Sequence, residues 1–341
     1  MASQVKRVKL DDFTEGISEF ALHFHQECVK SMSGNVIISP LSVATALTLL
    51  SQGTNESFVC YKLEEHFKEI AVEKFSSGIE SLDFKDSDKS ARIINDFVEE
   101  NTNQMIKDFI KPGMCDADTR LILVNAIYFK GTWEYKFNKN ETREGDFWIN
   151  EIEKNRVEFM TMEKCMQYGK LKDLDAVALE MKYADSKLSF LIILPNSRTG
   201  LSALEKKMKN YKLKDIISKM KLTTCCVTIP KFKVEFEIDL KSVLKELGMS
   251  EMFDKNNANL TDLIESKEQL YVSDAIHKAI IEVDEDGSKA VAATGMRVMC
   301  CSGGPVEYFI PFRADHAFLF HIIDKESNSI IFSGRSGNLK M

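Results

Sequence analysis

The sequence predicts an α+β fold, with helices in the first third of the chain and most strands after them. Helix start signals and helical spacing of apolar residues lie before residue 111. Two nearly continuous apolar runs, Leu121–Phe129 and Leu188–Leu194, are typical of central strands buried on both faces. The chain has 341 residues and is 44% hydrophobic, enough for a large core, which excludes a mostly disordered protein.

The early helices follow from local signals. Residues 14–31 carry apolar side chains at helical spacing. Ser39 before Pro40 predicts the start of a second helix, because serine is a good N-cap and proline fits the first helical position. Residues 58–80 and 88–110 are expected to form further helices.

The second half of the chain is richer in strand patterns. Leu240–Leu247 predicts a short helix that ends at Gly248. Strands are expected at four further places, the last two forming a closing hairpin: 227–229, 232–236, 318–323 and 329–332. No internal repeat or linker interrupts the chain, so we expect a single domain over residues 1–341.

Charge and hydropathy exclude several partner classes. The chain has 45 basic and 52 acidic residues, a net charge of −7, whereas affinity for nucleic acid comes from clustered Lys and Arg. No apolar stretch approaches the length of about 20 residues that a membrane helix needs. We therefore expect neither nucleic acid nor membrane as a partner.

The compartment has two alternatives. Met1–Phe20 lacks the apolar region of a signal peptide, which favours the cytoplasm, as do eight cysteines that form no disulfide framework and no C-x-x-C motif. Three N-x-S/T triplets, at Asn55, Asn140 and Asn259, are glycosylation candidates and keep secretion open.

Recognisable catalytic and cofactor motifs are missing from the sequence. It has no G-x-G-x-x-G, P-loop or G-x-S-x-G motif, and its six histidines complete no metal-ligand pattern. We therefore expect no enzyme, no cofactor and no metal.

The most unusual stretch runs from Glu282 to Pro311 and is rich in glycine and small residues. Loops of this length inside a compact domain are usually functional or disordered. In strand geometry one face of the segment 288–294 is small and uncharged, and the only charge of that segment, Lys289, lies on the opposite face. That small face comprises Ser288, Ala290, Ala292 and Thr294. Such a segment can enter a packed sheet as a new strand, which predicts a conformational switch.

Motifs in order along nearly the whole chain resemble the serpin family. The most specific is Asn125–Gly131 with Trp133, Phe137 and Thr142. The others are Asn35–Ser42, Ile94–Glu99 with Thr102, Leu188–Pro195, Ile229–Lys233, Leu270–Ser273, His277–Ala279, Phe312–His316, Phe318–Phe320 and Phe332–Arg335.

This resemblance implies a fold of three β-sheets, about seven to nine helices and an exposed reactive-centre loop, here about residues 285–311. It also implies a metastable suicide substrate: a protease attacks the loop, and the cleaved loop inserts into the central sheet before the acyl-enzyme is hydrolysed. The alternative is a non-inhibitory serpin that acts as a carrier or chaperone, or is only a substrate.

Residue roles are carried over from the family position by position. The hinge is Glu285, Gly287, Ser288, Ala290, Ala292, Ala293 and Thr294. The polar cluster beneath the parting strands, the shutter, is Ser39, Ser42, Asn125 and His277. Trp133 matches the tryptophan of the breach, the top of the sheet where insertion begins.

The scissile bond is placed by loop length. Counting fifteen positions from Gly287 gives Cys301, so cleavage is expected at Cys301–Ser302, with Cys300 and Gly303 as alternatives. The residues before this bond, Met299-Cys300-Cys301, form the bait that the protease recognises. They are apolar and small to medium in size, which suits an elastase- or chymotrypsin-like serine protease or a papain-like cysteine protease. We expect a monomer. Family habit and the N-x-S/T triplets favour secretion, so the expected location is extracellular, with the cytoplasm as the alternative.

The main departure from the family lies between Ser57 and Leu63. The third and fourth helices are shortened or absent there, or residues are missing from the chain. Because the fourth helix binds heparin in heparin-activated members, and the net charge is negative, we expect no heparin activation.

Overall fold

The computed structural model describes residues 10–30, 32, 34–51, 57–59, 79–260, 269–286 and 309–340. The α-helices in this part are α1 (Leu10–Val29), α2 (Pro40–Ser51), α3 (Ser87–Asn101), α4 (Leu201–Met208), α5 (Leu213–Ser218) and α6 (Leu240–Glu246). The first strands are β1 (Val36–Ile38), β2 (Ser57–Val59), β3 (Ile79–Ser81), β4 (Leu121–Phe129), β5 (Arg143–Trp148), β6 (Lys154–Leu171) and β7 (Ala176–Lys182). The others are β8 (Leu188–Pro195), β9 (Lys221–Pro230), β10 (Phe232–Asp239), β11 (Asp274–Val283), β12 (Ile310–Arg313), β13 (Phe318–Asp324) and β14 (Ser329–Ser336).

The chain divides into two compact units. The first comprises Met1–Phe129, Val234–Ile281 and Ile330–Gly334. The second comprises Lys130–Lys233, Glu282–Ser329 and Arg335–Met341. A single domain over residues 1–341 stays a prediction.

The first unit is built on a five-stranded sheet in the order β10-β11-β4-β2-β3. Its two central strands, β4 and β11, are parallel and paired directly over eight positions, from Asp274 opposite Ile122 to Ile281 opposite Phe129. In the described structure, therefore, no strand lies between β4 and β11.

Helix α3 covers one face of these two strands. Its buried Ile94 and Val98 share a hydrophobic cluster with Ile122 of β4 and with Ile276 and Ile280 of β11. Asp86 is the N-cap of this helix, and its carboxylate accepts a hydrogen bond from the backbone N–H of Lys89. Side chains alternate along a strand, so the neighbouring positions of β4 and β11 point to the opposite face.

The second unit contains the strand sequence β13-β8-β7-β6-β9-β12, with β5 also paired to β6. Strand β6 is 18 residues long and has three partners, so sheets that the family resemblance treats as separate are continuous here. Strand β12 lies parallel to β9, with Ile310 opposite Cys225. The far end of the glycine-rich stretch is therefore fixed to β9.

Two helix predictions need correction. Residues 57–59 and 79–81, at the ends of the expected helix 58–80, are strands β2 and β3, and the positions between them lie outside the described residues. The helix expected over 88–110 ends at Asn101, because Asn103 and Gln104 adopt left-handed backbone conformations (φ 53° and 61°) that no α-helix contains. The six helices of the described part compare with seven to nine expected for the whole chain.

Candidate functional site

The four residues expected to form the shutter make one hydrogen-bonded cluster in the first unit, in which all but the half-buried Ser42 are buried. Asn125 of β4 and His277 of β11 occupy directly opposite positions in the parallel register. His277 Nδ1 lies 2.7 Å from Asn125 Oδ1, and Asn125 Nδ2 donates to Ser42 Oγ at 2.7 Å. The backbone N–H of Ser39 donates to His277 Nε2 at 3.2 Å. These are the same four residues that the sequence analysis assigned to one polar cluster.

The directions of these bonds fix the state of the imidazole. Nε2 accepts from the Ser39 N–H, so the proton sits on Nδ1 and is donated to the Asn125 carbonyl. A second proton on Nε2 would point at another donor. Burial, opposed only by the Asn125 hydrogen bond, lowers the pKa of His277 to about 4, so the ring is neutral at physiological pH.

The start of α2 ties this cluster to a third strand. Ser39 Oγ donates to the carbonyl of Ile331 in β14 at 2.9 Å and accepts from the Ser42 N–H at 3.4 Å. The Ser39 hydroxyl thus donates and accepts at the same time, as a hydroxyl can. The cluster therefore couples the pairing of β4 and β11 to the first turn of a helix.

The base of the reactive loop lies in the second unit. We call Glu282–Asp286 the loop stem. The indole Nε1–H of Trp133 donates to the carbonyl of Asp284 at 2.8 Å, and the backbone N–H of Phe137 donates to the carbonyl of Glu285 at 3.0 Å. These bonds grip the backbone of the stem immediately before Gly287.

Trp133 is itself held by aromatic packing. The ring is 2% exposed and stacks on Tyr183 with centroids 4.6 Å apart, while Phe190 and Phe137 contact it edge to face. The same ring therefore packs in the core and holds the stem, and the breach role of Trp133 stays a prediction.

Lysines surround the carboxylates of the stem. Lys130 contacts Asp284 at 2.7 Å and Glu282 at 3.0 Å. Burial acts to lower the pKa of Lys130, but the hydrogen bonds that its ammonium group donates to these two carboxylates raise the pKa overall. Lys139 pairs with Asp286.

Glu285 is the most buried acid of the stem, at 4% exposure. Thr142 donates a hydrogen bond to Oε1 at 2.8 Å, and Lys231 lies 3.3 Å from Oε2. Burial acts to raise the pKa of Glu285, but hydrogen bonds from its own backbone N–H, Thr142 and Lys231 lower it below the ordinary value. Glu285 is therefore held ionised at the root of the loop.

Most of the predicted loop residues lie outside the described residues. These are Gly287, Ser288, Ala290, Ala292, Ala293 and Thr294 of the hinge and Cys300, Cys301, Ser302 and Gly303 of the reactive bond. Asn55 also lies outside them, while Asn140 and Asn259 are exposed. The glycosylation sites and the scissile bond stay predictions.

Sequence reasoning missed the ion pairs of the stem. The acidic run before Gly287 was visible, but its lysine partners come from two distant segments, 130–139 and 231–233, so only the folded chain brings them together. The signal that could have found Thr142 was present, because this threonine belongs to the motif that follows Asn125–Gly131.

Comparison with known proteins identifies the family. The family model described as Serpin (serine protease inhibitor) matches residues 58–339. This chain belongs to the serpin family. The expected α+β serpin fold is thereby confirmed, and with it membership of a family made up mostly of protease inhibitors.

Relatives match the serpin over almost its full length. It is 35% identical over 348 residues to Serpin B3 of Homo sapiens, covering 98% of this chain and 86% of that protein. It is 30% identical to the leukocyte elastase inhibitor of Xenopus laevis, covering 94% and 99%. Its structure matches Serpin48 of the insect Tenebrio molitor with a TM-score of 0.85 and 28% identity, covering 99% and 100%.

The described residues show neither a membrane-spanning helix nor a metal-binding cluster. No helix in them is long and apolar enough to cross a membrane. They contain no group of three His, Cys, Asp or Glu side chains arranged to hold a metal. The five cysteines they include are free thiols, and burial raises the pKa of Cys225 and of Cys115 to about 11.

Proposed function

We propose that this serpin is a suicide-substrate inhibitor of a protease and has no catalytic turnover of its own. The observation that carries the proposal is the direct pairing of β4 and β11 over eight positions, with a polar cluster at its centre. In the proposed mechanism these two strands part, and one more strand enters between them.

The chemical step is attack of the protease nucleophile on the carbonyl carbon of Cys301. The amide bond to Ser302 breaks, and the Ser302 nitrogen leaves as an amine with a proton from the general acid of the protease. The loop is then joined to the enzyme by an ester or thioester, which water would normally hydrolyse.

Insertion competes with that hydrolysis. The freed loop, pivoting at Gly287, enters between β4 and β11 and forms backbone hydrogen bonds with both. The protease is carried along and its active site distorted before deacylation. Strand entry adds a hydrogen-bonded ladder and buried area, which is the free-energy source for the step.

Two features support this path. The neutral Asn125–His277 contact is a hydrogen bond rather than an ion pair, so parting the strands separates no buried charges. The stem is fixed to Trp133 and Phe137, so movement is confined to residues after Asp286.

The target class follows from the Met299-Cys300-Cys301 bait, which favours an elastase-, chymotrypsin- or papain-like protease. The relative named leukocyte elastase inhibitor supports an elastase-like enzyme among these. We propose that the inhibitor acts as a monomer.

The test is to mix the serpin with elastase, chymotrypsin and papain separately. We expect a covalent complex that survives SDS with at least one of them. Mass spectrometry should identify the released C-terminal peptide as Ser302–Met341, with Cys300 or Gly303 as the alternative cleavage positions.

Substrate-like cleavage by all three enzymes without any complex would count against the proposal for these targets.

Extracellular and cytoplasmic locations are both retained as predictions. An N-linked glycan on Asn140 or Asn259 in the natural protein would establish passage through the secretory pathway.

A further inference from the structure

An ion pair lies at the end of the β4–β11 pairing, on the side of the loop stem. The paired register ends with Phe129 of β4 opposite Ile281 of β11. The next residue on each side is charged, Lys130 after Phe129 and Glu282 after Ile281. Lys130 Nζ donates to Glu282 Oε2 at 3.0 Å, so an ion pair continues the row of paired positions by one step. A strand that enters between β4 and β11 from the stem must pass between these two side chains.

The carboxylate of Glu282 is shared between two lysines. While Oε2 accepts from Lys130, Oε1 lies 3.5 Å from Nζ of Lys233 in β10. Strand β10 pairs with β11 on the side away from β4. Glu282 therefore has one cationic partner on each side of its strand, and only the Lys130 side faces the path of an entering strand.

Lys130 is shared in the same way. Its Nζ lies 2.7 Å from Asp284 Oδ2, and the other oxygen of that carboxylate accepts a hydrogen bond from the backbone N–H of Asp286 at 3.1 Å. Asp284 belongs to the stem, two residues beyond Glu282, and its backbone carbonyl is bound by Trp133. Lys130 therefore has a second carboxylate partner, in the part of the stem that the aromatic residues hold.

Ion pairs on an open surface contribute little to stability, because water and salt screen them. The side chains of Lys130 and Glu282 are only 26% and 20% exposed, so their attraction is screened less. Parting β4 and β11 by one strand spacing of about 4.8 Å would stretch the 3.0 Å contact to about 8 Å and break it. Glu282 would then keep Lys233, and Lys130 would keep Asp284, so neither charge would be left without a partner.

We propose that Lys130 and Glu282, which we call the entry pair, set the rate at which a strand inserts between β4 and β11. The closed pair slows entry, while Lys233 and Asp284 lower the cost of opening it because each retains one member. This inference rests on the proposed insertion of the loop and adds the residues that control its rate. Both members are positioning residues, since they act on the path of the strand and not on the bond that the protease attacks.

The experiment measures insertion without any protease. A synthetic peptide with the sequence of residues 288–299, labelled with a fluorophore, is mixed with the intact full-length serpin, and its rate of binding is followed by fluorescence anisotropy at several salt concentrations. The test variant is Glu282→Gln. The control is Glu134→Gln, which makes the same change of charge at an exposed carboxylate 4.0 Å from Lys182. Thermal unfolding of each variant checks that it folds.

We expect Glu282→Gln to take up the peptide at least about threefold faster than wild type at low salt, because opening no longer separates an ion pair. Salt should speed uptake by the wild type and have a much smaller effect on Glu282→Gln. A substitution that merely loosened the fold would speed uptake but keep the wild-type salt dependence. Glu134→Gln should keep both the wild-type rate and its salt dependence.

A third variant tests the sharing of partners. Lys233→Gln leaves the entry pair intact but removes the cation that Glu282 retains after opening, so its uptake should be no faster than that of wild type. Faster uptake by Lys233→Gln would overturn the role of the second partner.

Equal rates for Glu282→Gln and wild type would overturn the entry pair and leave the proposed inhibition standing. Equal acceleration in Glu134→Gln would show an effect of net charge and would also overturn it. Failure of the peptide to insert into any of the four proteins would contradict the proposed function together with this inference.

Discussion

Asn125 and His277 contact each other across two strands that must separate if a third is to enter between them. Both are buried, and their neutral hydrogen bond can be broken and remade without leaving an unpaired charge. The imidazole depends on burial to stay neutral, so the closed sheet is coupled to pH through one residue.

We predict that acid destabilises the native state through His277. Its pKa is about 4 in the folded chain and about 6.5 when unfolded, so the unfolded state binds the extra proton between these values. The stabilisation is fully present above pH 6.5 and is lost as the pH falls towards 4, by about 3 kcal/mol in total. The measurement is the unfolding midpoint at fixed heating rate across this range.

Comparison of two variants isolates this effect from carboxylates that titrate nearby. His277→Gln should flatten the fall in unfolding midpoint between pH 6.5 and 4, because glutamine does not titrate. His23→Gln, which removes an exposed histidine, should keep the wild-type slope. An unchanged slope in His277→Gln would mean that this ring does not govern the acid sensitivity.

The four shutter residues could be named from sequence because each lies in a short motif. The ion pairs of the stem could not, since Lys231 and Thr142 are distant along the chain from Glu285.

At the scale of elements, strands with strong local patterns were predicted well. Strand β4 spans Leu121–Phe129 as expected from its long apolar run, whose first five residues are buried, and α2 begins at Pro40 after Ser39. Strands β2 and β3 have three residues each and are defined by pairing, β2 with β4 and β3 with β2. Three residues of local sequence are too few to specify a strand that is defined by its partner. These residues were therefore predicted to be the two ends of a helix over residues 58–80.

We predict that the loop inserts with one face inward. Ala290→Arg places a charge on the small face and should abolish the SDS-stable complex, turning the inhibitor into a substrate, because an unpaired charge would be buried in the sheet. The readout is the fraction of protease trapped against the fraction of serpin cleaved.

The matched control is Val291→Arg, one position along. Alternation places that side chain on the opposite face, beside Lys289, so trapping should stay near the wild-type level. Equal loss of trapping in both variants would refute the assignment of faces, and full trapping by Ala290→Arg would refute burial of the loop.

For the whole molecule, we predict that cutting the loop raises the thermal unfolding midpoint by about 10 °C or more, since a new central strand adds a full row of backbone hydrogen bonds. Scanning calorimetry of intact and cleaved protein measures this rise. Cleaved Ala290→Arg is the control and should gain much less. An unchanged midpoint in the cleaved wild type would favour the non-inhibitory alternative, a carrier or chaperone.

The grip of Trp133 and Phe137 on the stem has a consequence for distance. Because the backbone is held as far as Asp286, the segment that inserts runs from Gly287 to the scissile bond. Its fifteen residues, at about 3.3 Å each, move the acylated end by about 50 Å. Loop length therefore sets the final position of the bound protease: each residue inserted or deleted in this segment changes the distance between the stem and the protease by about one strand position.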